Sequence, residues 1–335
     1  MNFNRSFGLS FVKNQVYSVY MKWIRTQEQS LPDIQESVLT IGNFDGLHLG
    51  HRKLIQQVVQ SAKAKNCPSI ACTFKPHPLQ IIQPQVKEHL SHRLFDYRDQ
   101  AEVMESLQLD YLIEEKFTKE LSLMTAIDFL NNYVVKYFNP RHIIVGYDFS
   151  FGHNRSGDFN FLKDYCDKNN IELSQVQAVE ISGQTISSSA IRKLIEHGDM
   201  SQAEKYLGRK YYLRGPVRMG YQRGRTLNVP TANISPEIDF VPRKGVYFSK
   251  TFINQEIYYS ITNIGVNPTF ESGQIADSLL KVETHIFNFN LDIYGQQIKV
   301  ELEKFHRDEM KFTTVDMLKN QIQKDLIEAR KYFNL

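Results

Sequence analysis

Two histidines three residues apart, His48 and His51, stand where an apolar strand pattern changes into a helical one. Val38 to Ile41 is typical of a short buried strand, and from Arg52 onward the apolar residues recur at helical spacing. In open α/β sheets, ligands bind at this junction between a strand end and a helix start. A helix N-terminus offers free N–H groups to a phosphate, and two imidazoles there can donate hydrogen bonds to a phosphate whose charge grows during transfer.

Other interpretations of the histidine pair remain open on these residues alone. Paired histidines can belong to a metal site, although zinc takes three or four ligands and no Cys or acidic cluster lies close in sequence. They can also be ordinary polar residues at a helix start. Gly42 and Gly46, just upstream, permit tight turns and a close approach of the backbone to a ligand.

A second phosphate signal lies further along, where Ile186 to Arg192 leads into an amphipathic helical pattern. The hydroxyls of Ser187, Ser188 and Ser189 can cap that helix and contact phosphate oxygens. Arg192 would reach the same phosphates as a charged fork. A serine-rich N-cap alone is usually only a cap, but together with the histidine segment it is much more specific.

Length and composition indicate a protein of about two domains, since the chain has 335 residues and 41% apolar content. A net charge of +3 gives no strong electrostatic case for nucleic acid or an acidic membrane, and no apolar run reaches the ~18 residues of a membrane span. Three scattered cysteines do not form a disulfide framework, which favours a reducing cytoplasm. We therefore expect a cytoplasmic protein without a nucleic-acid or membrane partner. Composition does not determine the oligomeric state, for which we expect a monomer or a weak homo-oligomer.

Strand and helix patterns alternate from Ser37 to about Glu204, which predicts a parallel sheet with helices on both faces. After Gly208 short strand-like runs separated by turns predict a small antiparallel barrel. Thr314 to Phe333 reads as one capped helix with an apolar stripe. The predicted fold is thus α/β plus β, with a mobile extension over 1–20, an α/β domain over 21–206 and a barrel domain over 207–335. Within the first domain we expect strands at 38–41, 70–74, 111–113 and 142–145, helices at 94–107 and 125–137, and a solvated turn at 114–117.

The barrel region carries its own motif, a glycine-rich stretch that includes Gly220 and Gly224 and ends in Pro-Thr-Ala-Asn233. Such glycines can let backbone N–H groups wrap a phosphate. The Thr231 hydroxyl and the Asn233 amide oxygen are hard ligands suited to magnesium. Taken alone, the glycines are better explained as a pair of hairpin turns.

The two phosphate motifs of the first domain together resemble the HxGH nucleotidyltransferases, most closely the FMN adenylyltransferase module of bacterial bifunctional riboflavin kinase/FAD synthetases. Three further stretches fit that module: Thr73 to Pro78, Gly146 to Gly152 and Arg155 to Asp158. The resemblance implies a Rossmann-like domain in which two histidines and a Ser/Arg motif hold the ATP phosphates during adenylyl transfer. Carried over, the phosphate contacts are His48, His51, Ser187, Ser188, Ser189 and Arg192, and the nucleotide cleft is lined by Gly42, Asn43, Phe44, Asp45 and Gly46.

The same resemblance implies that Asp148 and Phe149 lie beside the FMN or a magnesium ion. Lys75 is a departure from the family, which commonly has Glu at this position, and the position flanks the flavin site. The flavin contacts of this position are therefore not carried over from the family.

The second half is similar to the riboflavin kinase module, through the Pro-Thr-Ala-Asn motif and further stretches at 263–270, 282–286, 294–295, 307–312 and 321–322. The resemblance implies that Gly220, Gly224, Thr231 and Asn233 bind ATP, the last two with magnesium. Glu283 would be the general base for the riboflavin 5′-hydroxyl, and Arg307 and Glu309 would lie on the flavin side. Asn228 stands where the family usually has Gly, and Asn is the next best tolerated residue at positive φ.

The resemblance implies a bifunctional enzyme of flavin cofactor synthesis that uses ATP and Mg²⁺. Riboflavin, FMN and FAD would be its substrates and products. Two alternatives stay open: an enzyme with one live module, or a non-enzymatic flavin- or nucleotide-binding protein. A nucleic-acid-binding barrel would need a basic, aromatic-lined face, and the modest net charge weighs against it.

Overall fold

The structure, a computed structural model, describes residues 20–83, 93–219, 229–236, 238, 240–266 and 280–335. The predicted extension, except Tyr20, lies outside these residues. So do the barrel positions Gly220, Gly224 and Asn228. No helix in the described ranges is both long and apolar enough to cross a membrane.

A six-stranded sheet forms the first half of the chain, in the order β1-β4-β3-β2-β5-β6. Every neighbouring pair in it is parallel, as the alternating pattern predicts. A short hairpin, β7 with β8, follows the sheet. The strands are β1 Lys22–Arg25, β2 Ser37–Ile41, β3 Ser69–Lys75, β4 Tyr111–Lys116, β5 Pro140–Gly146, β6 Glu172–Val176, β7 Glu180–Ile181 and β8 Gln184–Thr185.

Helices cover both faces of this sheet, because alternate residues of each strand point to opposite sides. Leu39 packs in one apolar cluster with Phe129, and its neighbour Val38 packs in another with Ile55 of the first helix. The helices are α1 Leu49–Lys65, α2 Pro78–Ile82, α3 Tyr97–Ser106, α4 Lys119–Leu123, α5 Ala126–Phe129, α6 Lys136–Phe138, α7 Phe159–Lys168, α8 Ser188–Glu196 and α9 Met200–Leu207. A π-helical turn, Leu130–Val135, joins α5 to α6, and short 3₁₀ turns cover Asp45–Leu47 and His153–Arg155.

A closed antiparallel barrel forms the second half, in the order β10-β13-β12-β11-β14-β9. Its strands are β9 Tyr212–Arg218, β10 Ala232–Ile234, β11 Gly245–Ile253, β12 Glu256–Val266, β13 Leu280–Ile286 and β14 Gln297–Arg307. The last helix, α10, spans Val315–Phe333 and begins as predicted, with the Thr314 hydroxyl accepting a hydrogen bond from the Met317 N–H.

One apolar cluster belongs to both halves of the molecule. Ile191 of α8 and Tyr206 of α9 pack in it together with Leu213 and Val300 of the barrel. The barrel and the sheet domain therefore share part of one core. Since burial of apolar surface is the main stabilising term in folding, this shared core stabilises both halves. The predicted boundary between 206 and 207 lies inside this shared region.

Three local predictions need correction. The helix predicted from Leu94 begins at Tyr97, because the Asp96 carboxylate caps it by accepting from the Asp99 N–H. The single helix predicted at 125–137 contains the π turn. The solvated turn predicted at 114–117 is wrong: Glu114 lies in β4 and is only 3% exposed. β4 pairs with β1 on one side and with β3 on the other, which buries the side chain.

Candidate active sites

The loop that carries the histidines has an unusual backbone. Phe44, Gly46 and Leu47 all adopt positive φ, at 48°, 76° and 39°. A Cβ at Gly46 would come within 2.9 Å of the Leu94 side chain, so the position requires glycine for both conformation and space. This turn directs the chain from β2 into α1 and sets the position of His48.

His48 and His51 stack on each other at the first turn of α1, with ring centroids 3.7 Å apart and planes inclined by 18°. The His48 side chain is the N-cap of that helix, and its Nδ1 accepts a hydrogen bond from the His51 backbone N–H at 3.4 Å. Nδ1 is then the unprotonated nitrogen, so the neutral ring carries its proton on Nε2. A Cβ at Gly50 would lie 3.1 Å from the His48 ring, which explains the glycine between the histidines.

Burial keeps both rings neutral at physiological pH. Desolvation, reinforced by the positive charge of Arg209, lowers the pKa of His48 from 6.5 to about 4. Desolvation and then the neighbouring His48 hold the pKa of His51 well below its ordinary value. The pair therefore offers neutral N–H donors, and its pKa values rise when a phosphate binds beside it.

The serine and arginine motif meets the histidine loop at Asp45. Ser187 caps α8 by accepting from the Ala190 N–H at 3.2 Å. The Ser188 hydroxyl donates to the Asp45 carbonyl at 2.8 Å, and Arg192 forms an ion pair with the Asp45 carboxylate at 2.5 Å. The two motifs that the sequence separates are thus joined in space.

A cavity of about 200 Å³ opens beside this junction. His48, His51 and the three serines line it, together with Asp148 and Gly146 at the end of β5. Arg192 and Phe149 are not among the described residues of the wall. The Phe149 ring instead stacks on the Phe151 ring, with centroids 5.4 Å apart. The predicted nucleotide-cleft residues Gly42, Asn43, Phe44, Asp45 and Gly46 are likewise not among the described lining residues.

Lys75 has two partners at the carboxyl end of β3. Its ammonium group lies 3.6 Å from a Glu114 carboxylate oxygen and 4.7 Å from the centre of the Tyr97 ring. Burial raises the pKa of Glu114, while Lys75 acts in the opposite direction. The residue that departs from the family therefore serves as counter-ion to a buried acid that sequence reasoning missed.

A second cavity, of about 330 Å³, lies between the barrel and α10. Its polar wall contains Thr231, Glu283, Arg307 and Glu309, four of the residues predicted for the barrel site. The remaining lining is mainly apolar and includes the predicted helix stripe: Val229, Val246, Ile261, Phe312, Leu318, Ile322 and Leu326.

Glu283 faces this cavity from the middle of β13. Strand register sets it opposite Asn233 on one side and Asn263 on the other. Lys281 pairs with its carboxylate at 3.1 Å. Thr231 lies just before β10 and lines the cavity, whereas Asn233 lies within β10 and is not among the described lining residues. Both side chains carry a neutral oxygen of the kind that magnesium accepts. No group of three or more His, Cys, Asp or Glu side chains within the described ranges could itself hold a metal.

Arg307 is held by a fork-shaped ion pair with Asp325 of α10, with N–O distances of 2.9 and 2.6 Å. Gln321 donates to the same carboxylate at 2.8 Å. The Glu309 carboxylate lies over Gly265, where a Cβ would come within 2.7 Å of its oxygen. Asp325 lay outside the sequence prediction, although its spacing from Leu318 and Ile322 on the tail helix was a usable signal.

Two family models match the chain in order: FAD synthetase over residues 30–190 and riboflavin kinase over residues 207–333. A bifunctional riboflavin kinase/FMN adenylyltransferase of Buchnera aphidicola subsp. Acyrthosiphon pisum is 34% identical over 300 residues, which cover 89% of this chain and 94% of the relative. The protein of the same description from Listeria monocytogenes is 34% identical over 297 residues, with coverages of 88% and 92%. That from Escherichia coli K12 is 32% identical over 299 residues, with coverages of 89% and 93%.

A crystal structure of a Streptococcus pneumoniae protein named a macrolide-efflux protein is also similar, with a TM-score of 0.79 and 30% identity. The match covers 92% of this chain and 98% of that one. Its name describes that protein alone, whereas both family models and the curated relatives agree with each other. The chain belongs to the family of bifunctional riboflavin kinase/FMN adenylyltransferases, which make the flavin cofactors FMN and FAD.

Proposed function

We propose that the two cavities are two separate active sites that act in turn on one flavin. The barrel site transfers the γ-phosphoryl group of ATP to the 5′-hydroxyl of riboflavin and gives FMN and ADP. The sheet-domain site then transfers AMP from a second ATP to FMN and gives FAD and pyrophosphate. The observation that carries this proposal is that each cavity has its own set of motif residues in its wall.

In the barrel, the apolar wall of the cavity suits the flat ring system of a flavin. Glu283 takes the proton of the 5′-hydroxyl as the oxygen attacks the γ-phosphorus, and the bond to the β-phosphate oxygen breaks. Arg307, fixed by Asp325, and Glu309 contact the polar edge of the flavin. Thr231 and Asn233 would hold Mg²⁺, which neutralises charge on the transferring group when bound.

In the sheet domain, the nucleophile is the phosphate of FMN, which is already ionised and needs no strong base. An FMN oxygen attacks the α-phosphorus of ATP, and the bond to the β-phosphate breaks so that pyrophosphate leaves. His48, His51, Ser187 and Ser189 donate hydrogen bonds to the phosphates, and the charge that builds up in the transition state strengthens those bonds. The Ser188 hydroxyl is committed to the Asp45 carbonyl and so holds the histidine loop. Arg192 holds Asp45, and through it the loop that carries the histidines.

Asp148 lines the same cavity as the histidines and supplies a carboxylate for magnesium or for the flavin side of this site. Phe149 supports the strand end from the apolar core. The protein is expected to act in the cytoplasm as a monomer or weak homo-oligomer, without a nucleic-acid partner.

The experiment is a product assay with purified protein. Riboflavin, ATP and Mg²⁺ should give FMN first and FAD later, resolved by chromatography, and both products should disappear when a chelator removes the metal. An FMN product that never proceeds to FAD would reduce the proposal to a single live module. Absence of both products would overturn it.

A further inference from the structure

The segment that joins the two modules lies directly against the histidine loop. Arg209 donates from Nη2 to the Gly46 carbonyl at 2.8 Å and from Nη1 to the Leu47 carbonyl at 3.0 Å. Gly46 and Leu47 are the two residues before His48, and both have positive φ. Arg209 thus binds the strained turn that sets the position of the first histidine.

The guanidinium group is fixed on its other side as well. It lies over the Phe95 ring at 4.5 Å from the centroid, and Nη1 also approaches the Leu207 carbonyl at 3.4 Å. Burial of a cation is costly unless hydrogen bonds compensate for lost water. Carbonyl oxygens of the histidine loop supply that compensation, so the arginine and the loop hold each other in one arrangement.

Gly208, the preceding residue, contacts the same motif from a second direction. Its φ is 69°, and a Cβ built on it would lie only 2.5 Å from the Leu49 side chain, between the two histidines in sequence. Arg52 of α1 donates to the Gly208 carbonyl at 3.4 Å. The joining segment therefore contacts the histidine motif at three places. Arg209 binds the carbonyls of Gly46 and Leu47 before His48, Gly208 packs against the Leu49 side chain, and Arg52 of α1 donates to the Gly208 carbonyl.

We propose that Arg209 is a positioning residue for adenylyl transfer, so that the beginning of the barrel module completes the active site of the other module. Arg209 lies within the range that the riboflavin kinase model matches, yet its contacts are with the FMN-adenylylating loop. The inference rests on the proposed adenylyl transfer at His48 and His51. Part of the inference can be tested without measuring activity. The charge of Arg209 contributes to the lowered pKa of His48, so that pKa should change when the charge is removed.

The test uses the full-length chain with Arg209→Met and Arg209→Lys. Arg209→Met should lower kcat for FMN to FAD about 10- to 100-fold, because small misplacements of reacting groups cost that much, with a smaller change in KM for ATP. The riboflavin kinase rate should stay within about twofold, since neither Arg209 nor the histidine loop is among the described residues that line the barrel cavity. Arg209→Lys should recover part of kcat because it keeps the charge and one donor. An NMR titration should show the pKa of His48 rising in the methionine variant.

Arg243→Met is the matched control. Arg243 also crosses between the modules, donating to the His197 carbonyl at 2.9 Å, but it belongs to a contact away from the histidine loop. It should leave kcat for adenylyl transfer unchanged. Should Arg209→Met fail to fold by circular dichroism, Arg209→Lys and Gly208→Ala carry the test, with the same selective loss of adenylyl transfer expected.

Wild-type kcat in folded Arg209→Met, or an equal loss in Arg243→Met, would overturn the inference. Equal loss of both activities in the Arg209 variants would overturn it as well, because that result indicates general destabilisation. Failure of the wild-type protein itself to convert FMN would instead refute the proposed function, and the inference with it.

Discussion

Arg192 and Asp45 form an ion pair of 2.5 Å between residues 147 positions apart in the chain. The Asp45 side chain is 4% exposed and that of Arg192 11%. The aspartate also accepts a hydrogen bond from the Leu94 N–H at 3.0 Å, so the pair joins α8, the histidine loop and the segment before α3. A buried pair of this kind fixes geometry more than it adds stability.

Removing one member of that pair should therefore be costly. Arg192→Met leaves the Asp45 carboxylate buried without its cation and should lower the free energy of unfolding by about 3 kcal/mol, measured by urea denaturation. The double variant Asp45→Asn/Arg192→Met should recover part of the stability but not FMN adenylylation, because the loop is still unpositioned. A single variant as stable as wild type would show that the pair is not buried as described.

Lys75 should be needed as a counter-ion to Glu114. Lys75→Glu places a second carboxylate near a buried one, and should destabilise the fold by about 1 kcal/mol at neutral pH. Glu114 has a folded-state pKa raised by burial, so protonation relieves the repulsion and the penalty should shrink as pH falls. Lys75→Gln is the control for lost charge without added repulsion. Equal stability of the glutamate and glutamine variants at every pH would contradict this role.

Asp99 at the module interface should give stability a distinct pH dependence. Its carboxylate accepts from the Tyr212 hydroxyl at 2.8 Å and lies 3.3 Å from Arg214. Burial, then the nearby Asp96, raises its pKa from 3.8 to about 6. The raised value means that its contribution is fully present below pH 3.8 and is lost as pH rises through about 6. The difference in unfolding free energy between wild type and Asp99→Asn should therefore decrease as pH rises from 3.8 to about 6. A difference that does not change with pH would refute this role of Asp99.

His48 should act with the opposite sign. Its pKa is lowered to about 4 in the folded state, so its contribution is present above pH 6.5 and is lost as pH falls toward 4. His48→Asn, which keeps an acceptor for the His51 N–H, should make the protein less sensitive to acid in that window. If the unfolding free energies of wild type and variant changed equally with pH between about 4 and 7, the His48 ring would not be buried and neutral.

Local structure that depends on residues close in sequence could be predicted. The strand, turn and helix around His48 and the Thr314 cap of α10 depend on local periodicity and capping, which a single sequence displays. The serine motif could be connected to the histidines only through the family resemblance. Periodicity does not show which distant loop a helix N-terminus meets.

The residues that the sequence did not reveal depend on contacts between distant segments. Glu114 looked solvated because its neighbours are polar, but pairing on both sides of β4 buries it. Arg209 is a single arginine in a joining segment, and only the fold shows that its guanidinium binds the carbonyls of Gly46 and Leu47. For Asp325 the helical spacing places it near the apolar stripe of α10, but only the fold shows that it holds the Arg307 side chain.

Two active sites that act in turn on one flavin should complement each other when each is disabled on a separate protein. Glu283→Gln should lose at least about 100-fold in riboflavin phosphorylation but convert FMN to FAD normally, and His51→Ala should make FMN normally but little FAD. Each variant alone, given riboflavin, ATP and Mg²⁺, should form almost no FAD, whereas an equimolar mixture should restore FAD formation because released FMN passes from one protein to the other. Loss of both activities in either folded variant, or full FAD formation by Glu283→Gln alone from riboflavin, would contradict two separate sites.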